Sequence, residues 1–236
     1  MPLRRILLIS NSTVYGRGYL DHVEEEIKEF LEDRKNVLFF PFALKDWNSY
    51  AAKARERFAA FGYTVTSAHA VADKVKAIED ADAVFIGGGN TFRLLKTLQD
   101  DGLLEAIRRR VDEGMPYIGS SAGSNVAAPT IKTTNDMPIV EPQSFDALGL
   151  VPFQINPHYL DREPGSTHMG ETREERIIQF LEENETPVVG LREGAWLRIE
   201  GNSVLLKGTT GARIFRCGQD PVEVSTGEIS RLLRLG

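Results

Sequence analysis

Short apolar runs separated by longer amphipathic stretches set the rhythm of this chain. Runs at residues 6–9, 37–40, 63–66, 83–86, 117–119 and 188–191 are too short for helices and do not alternate, which predicts strands buried on both faces. Between the first two, Leu20, Val23, Ile27, Phe30 and Leu31 recur at helical spacing. Phe92, Leu95 and Leu98, then Leu103, Leu104, Ile107 and Val111, do the same on either side of Gly102, so two helices are predicted in succession. Thr172-Arg173-Glu174-Glu175 fits a capping box, with Thr172 as N-cap, Glu175 reaching back, and Ile177, Ile178 and Leu181 as the buried stripe. Strands alternating with helices predict an α/β fold, a mostly parallel sheet with right-handed crossovers and helices on both faces.

Beyond residue 191 the pattern changes. Residues 195–199, 204–207, 212–217 and 221–224 form short, turn-separated segments, with Gly201-Asn202 marking a hairpin turn. They predict an antiparallel C-terminal extension at one sheet edge. No repeat or linker interrupts the 236 residues, so residues 1–236 are expected to form a single catalytic domain.

Composition narrows the function classes. A net charge of −6 leaves no basic footprint for nucleic acid, and no apolar run approaches the roughly 20 residues of a membrane span. The apolar run at 6–9 is also shorter than the about 7–15 residues of a secretory h-region and reads as a first buried strand. One cysteine, Cys217, permits no internal disulfide. The expected setting is the cytoplasm, without nucleic-acid or membrane partners.

The candidate chemistry centres on Gly119-Ser120-Ser121-Ala122-Gly123, which follows a predicted strand. Gly-x-Ser-x-Gly between strand and helix is the pattern of a nucleophile elbow, and its spacing selects Ser121 over Ser120. A serine hydroxyl needs a base, and the base an orienting group. Of the four histidines, His22, His69 and His168 read as surface or loop residues. His158 leaves an apolar run directly after Pro157, which fixes the backbone before the imidazole. For the acid, Glu193 is favoured because it follows a predicted strand at the edge where α/β sheets bind ligands. Asp136, in Thr134-Asn135-Asp136-Met137-Pro138, is the competitor. Gly87-Gly88-Gly89-Asn90, between strand and helix, offers backbone N–H groups to developing negative charge. Neither a G-x-G-x-x-G fingerprint on the first strand nor G-K-[ST] after the glycines directs the chain to a nucleotide, and neither metal nor cofactor is expected.

These strings, with Ser10-Asn11-Ser12-Thr13, residues 133–140, Ile155-Asn156-Pro157-His158 and Gly170-Glu171-Thr172-Arg173-Glu174, resemble the peptidase E family along nearly the whole chain. These are α-aspartyl dipeptidases within a serine peptidase family that also includes cyanophycinases. The resemblance implies a flavodoxin-like layered sheet similar to the class I glutamine amidotransferases. It implies Ser121 as nucleophile, His158 as base and Glu193 as acid, with an oxyanion hole from Gly88, Gly89 and Ala122. The implied activity is hydrolysis of Asp-Xaa dipeptides through an acyl-enzyme, by a monomer or homodimer whose partner is a small peptide substrate. The alternatives are a cyanophycinase-like isopeptidase or a non-catalytic small-anion-binding module. Asn90 and Arg173 are the substrate-binding candidates, Arg173 for the aspartate carboxylate, with Lys132 and Arg162 behind it. Two positions depart from the family pattern: Ser120 stands where members carry tryptophan, and Arg192, beside Glu193, where they carry proline.

Overall fold

Five adjacent parallel strands make up one side of the larger sheet, and their carboxyl ends lie together. The structure, a computed structural model, describes residues 3–162, 165, 167 and 169–233; His168 lies outside them. In chain order the elements are β1 (Arg5–Ile9), α1 (Glu24–Leu31), β2 (Asn36–Phe40), α2 (Trp47–Ala60), β3 (Thr64–Ser67), α3 (Lys74–Asp80), β4 (Ala83–Ile86), α4 (Thr91–Asp100), α5 (Leu104–Asp112), β5 (Tyr117–Ser120), α6 (Ala122–Asn125), β6 (Gln154–Tyr159), α7 (Arg173–Glu182), β7 (Val188–Arg192), β8 (Ala195–Glu200), β9 (Ser203–Gly208), β10 (Ala212–Phe215), β11 (Val222–Val224) and β12 (Gly227–Glu228). The larger sheet runs β12-β9-β8-β1-β5-β4-β2-β3, with β1, β5, β4, β2 and β3 parallel.

The pleat of β1 shows how one strand serves two cores. Ile6 and Leu8 join the apolar cluster that contains Ile78 of α3, Leu94, Leu95 and Leu98 of α4, and Ile107 and Val111 of α5. Leu7 and Ile9 turn the other way, onto Ile27, Phe30 and Leu31 of α1 and Ala51, Ala54 and Phe58 of α2. Helices therefore cover both faces, as the alternation of patterns predicts. α4 and α5 are separate helices, broken where Gly102 takes φ 66°. β3 departs from expectation: it is an edge strand with alternating burial, not one buried on both faces.

The C-terminal segments divide between two sheets. β8 and β9 form the expected hairpin and extend the larger sheet antiparallel beside β1. β10 and β11 instead join β7 and β6 in a second sheet of order β11-β10-β7-β6. One face of that sheet adds Ile155, Val189, Leu191 and Ile214 to the main core. The other packs Tyr159, Val188 and Phe215 against Ile177 and Leu181 of α7. The run at 188–191 is buried in either arrangement, so its apolarity does not reveal which sheet holds it. Cys217 lies exposed beyond β10. Among the described residues no helix is long and apolar enough to cross a membrane.

Candidate active site

The turn after β5 is held by contacts that only glycine permits. A Cβ on Gly119 would sit 2.5 Å from the Gly123 carbonyl oxygen, and one on Gly123 would sit 2.0 Å from that of Ile86. Their absence lets α6 start immediately after β5 and press onto β4. Ser121 bridges the two with φ 53° and ψ −108°, a conformation that costs a non-glycine residue roughly 1–3 kcal/mol. Its N–H donates to the Ile9 carbonyl at 3.0 Å, and its carbonyl accepts from Ser124 N–H at 2.8 Å. The side chain is thereby lifted to the carboxyl edge. Ser120 points the other way: it is fully buried, and its hydroxyl has no hydrogen-bond partner. The small residue at the family's tryptophan position therefore faces the interior, away from the cavity.

His158 reaches Ser121 by a second backbone irregularity. The β6–β7 register shifts between Pro157 and Tyr159, and His158 takes φ 54°. This bulge re-aims its side chain. The His158 N–H, released from the ladder, donates to Ser10 Oγ at 2.9 Å, and Ser10 Oγ donates to the Leu191 carbonyl at 2.8 Å. One hydroxyl beyond β1 thus ties down both strands that carry the imidazole and its acid. His158 Nε2 lies 2.9 Å from Ser121 Oγ, and Nδ1 lies 2.6 Å from Glu193 Oε1.

Glu193 is fixed by the turn between β7 and β8. Its carbonyl accepts from Thr210 Oγ1 at 2.7 Å, and Gly194, at φ 83°, donates its N–H to Asn11 Oδ1 at 2.8 Å. Arg192 does not compete for this carboxylate. Its guanidinium is held by Asp161 and by Glu223, which together keep its pKa above the ordinary arginine value. Alternation along the strand sends neighbouring side chains to opposite faces.

Asp136 performs a different task. Its Oδ2 accepts from Thr91 N–H at 2.7 Å and from the Thr91 hydroxyl at 2.6 Å, taking a donor that α4 leaves free at its N-terminus. Asn90 is the N-cap of the same helix. Its Oδ1 accepts from Arg93 N–H at 3.1 Å, and its Nδ2 donates to the Met137 carbonyl at 2.9 Å. Both residues thus pin the segment between α6 and β6 to α4. Asp136 still lines the cavity; Asn90 does not.

That cavity, about 690 Å³, is lined by Ser121 and His158 together with Gly88, Gly89, Asp136, Tyr19, Tyr50 and Lys53. A Cβ on Gly88 would come within 3.0 Å of the Ser121 Cβ, so the glycine run is what lets β4's end approach the nucleophile. The Gly88 N–H is already engaged, donating to Tyr50 Oη at 2.9 Å. Burial pushes the Tyr50 phenol above its ordinary pKa. Ala122 N–H, first in α6, is one of the donors a helix start leaves without an intrahelical acceptor. Arg173 opens α7 behind the predicted capping box, which is complete: Thr172 Oγ1 accepts from Glu175 N–H, and Glu175 Oε2 from Thr172 N–H. Arg173 is half-buried and does not line the cavity. Burial, then the nearby Arg176, lower its pKa, and the charge of Asp136 opposes them. Lys132 and Arg162 are exposed.

The α2 wall leaves little mark in the sequence. Tyr50, Ala51, Ala54 and Phe58 are the buried stripe of that helix, but two alanines make a weak apolar signal. Tyr50 and Lys53 lie on that weakly marked helix.

A serine hydroxyl, an imidazole and a carboxylate in hydrogen-bonded series at the carboxyl edge of an α/β sheet define a serine hydrolase centre. The chain belongs to peptidase family S51, whose profile matches residues 6–207. It is 55% identical over 229 residues to a peptidase E of Streptomyces coelicolor, covering 97% of this chain and 94% of that one. It is 47% identical over 216 residues to a probable alpha-aspartyl dipeptidase of Drosophila melanogaster, covering 90% of each. Among solved structures, a peptidase from an acI-B1 actinobacterium superposes with a TM-score of 0.73 at 18% identity, covering 96% of both chains. A putative peptidase E protein from Listeria monocytogenes superposes with a TM-score of 0.67 at 23% identity, covering 88% of this chain and all of that one. The two superpositions concern the fold.

Proposed function

We propose that this chain hydrolyses dipeptides with an N-terminal aspartate through an acyl-enzyme on Ser121. The observation that carries the reading is the unbroken series Ser121 Oγ, His158 Nε2, His158 Nδ1 and Glu193 Oε1, with contacts of 2.9 and 2.6 Å. Ser121 Oγ attacks the scissile carbonyl carbon while His158 Nε2 takes its proton. The Nδ1 proton stays on the imidazole, donated to Glu193, which fixes the tautomer and stabilises the imidazolium. The carbonyl oxygen, now negative, is met by the N–H groups of Gly89 and Ala122, and Tyr50 holds the adjoining Gly88 peptide in place. The imidazolium gives its proton to the leaving amine. Water then repeats the sequence on the aspartyl ester and frees Ser121.

Arg173 supplies the charge that recognises the aspartate side chain. It is a half-buried guanidinium that pairs with no carboxylate among the described residues, and it feels Asp136 of the cavity wall. Such a guanidinium is matched by an incoming carboxylate. Turnover of Asp-Leu against Glu-Leu, Asn-Leu and a β-linked aspartyl–arginine dipeptide tests the assignment. Asp-Leu is expected to lead, and preference for the β-linked peptide would reassign the chain to isopeptide cleavage. Arg173→Met is expected to lower kcat/KM on Asp-Leu by roughly 10–100-fold, the scale of a hydrogen bond to a charged group. The loss on Asn-Leu is expected to be smaller. Equal losses on the two substrates would remove Arg173 from aspartate recognition.

A further inference from the structure

The cavity beside Ser121 has two walls of different character. One carries Asp136 and His158. The other is built by Ser12 and Tyr19 from the loop after β1 and by Ser49, Tyr50 and Lys53 from α2. Lys53 is the only lysine or arginine among the described residues that line it. Its ammonium stands over the Tyr19 ring, 4.5 Å from the centroid, and pairs with no carboxylate among the described residues. The acid nearest in sequence on this wall, Asp46, is occupied at the start of α2, accepting from Ser49 N–H at 3.0 Å and Ser49 Oγ at 2.7 Å.

Position along α2 gives this cation its meaning. The Tyr50 hydroxyl touches Gly88, the residue packed against Ser121. Lys53 lies three residues on, on the same helix face and about 4.5 Å further along the axis. In a bound dipeptide the terminal carboxylate sits one residue past the scissile carbonyl, a span of about 3.5 Å. The wall therefore places a positive charge in the cavity that holds Ser121 and His158, one turn of α2 beyond the tyrosine that braces Gly88. Tyr19 is buried and supplies a fixed aromatic platform for a side chain otherwise free to sample many rotamers.

We infer that Lys53, seated on Tyr19, forms a subsite for the free C-terminal carboxylate of the departing residue. The inference rests on the dipeptidase reading and adds a length ruler to it. A longer peptide carries its carboxylate further from the scissile bond and leaves the ammonium unmatched. Recognition at Arg173 selects the first residue, and recognition at Lys53 selects a chain that ends with the second.

The test compares Asp-Leu with Asp-leucinamide, which differ in the charge of the C-terminal group, on the unmodified protein, Lys53→Met and Lys53→Arg. The unmodified protein is expected to favour the acid. Lys53→Met is expected to reduce the acid-to-amide ratio of kcat/KM about tenfold. Lys53→Arg is expected to restore most of it, with melting temperatures confirming that all three proteins are folded. A ratio unchanged in Lys53→Met, or an unmodified protein indifferent to the amide, would overturn the subsite. Turnover of neither substrate by the unmodified protein would instead overturn the peptidase reading beneath it.

Discussion

Ser121→Ala is expected to lower kcat on Asp-Leu roughly 10⁶-fold, with KM changing only a few-fold. In the proposed mechanism the Ser121 oxygen forms and breaks the covalent bond, and no neighbouring hydroxyl is placed to take over that step. Ser120 is adjacent in sequence but buried, with its hydroxyl in the interior. Alanine retains the Cβ and leaves the glycine contacts that set the elbow untouched, so the fold is expected to survive. Residual activity above the uncatalysed rate would come from binding and from the backbone N–H groups proposed to meet the carbonyl oxygen. Steady-state kinetics beside a melting curve check both halves of the expectation. Full activity in the variant would move the nucleophile elsewhere.

The second large effect separates the two carboxylates that the sequence leaves in competition. Glu193→Gln is expected to lower kcat roughly 10³-fold. A carboxamide can turn its NH₂ towards His158 Nδ1 and favour the tautomer whose Nε2 already carries a proton, which cannot take one from Ser121. Part of the imidazolium stabilisation is lost as well. Glu193 is half-exposed, with its side chain 52% accessible, so water screens this loss more than it would for a buried acid. Asp136→Asn is expected to show its main loss in stability, because Asp136 accepts from Thr91 at the start of α4, and a lost helix-end partner costs about 1 kcal/mol. Comparing kcat and melting temperature for the two variants checks the division. A collapse of kcat in Asp136→Asn with Glu193→Gln nearly unaffected would reverse the assignment.

The hydrogen-bonded series of Ser121, His158 and Glu193 is legible because each member carries a local signature. Ser121 sits between glycines at fixed spacing, and those glycines prove to be where any side chain would strike backbone. His158 follows a proline at the end of an apolar run, and Glu193 follows the last such run. The capping box at Thr172 and the break at Gly102 are likewise local, and both occur where the sequence places them.

What stayed hidden depends on contacts between distant segments. The choice of sheet for β7, β10 and β11 depends on which strand edge each meets, which the apolar pattern of a single segment does not encode. The bulge that swings His158 towards Ser121 is fixed by Ser10, which lies 148 residues away. Tyr50 and Lys53 ride on a helix whose alanine-rich stripe is quiet, and their role follows only from its docking beside Gly88. Asn90 reads as a ligand in a glycine-rich cradle, yet both ends of its carboxamide are used to hold α4 and the segment beyond α6.

The account depends most on a covalent aspartyl ester at one oxygen. An activated substrate, aspartyl p-nitrophenyl ester, makes formation of that ester fast relative to its hydrolysis. Acid-quenching during turnover and locating the added mass by peptide mapping is then the most direct measurement. A stoichiometric burst of nitrophenol with one aspartyl group on Ser121 is the predicted result; an adduct on another side chain, or a burst-free release from protein carrying none, would contradict it.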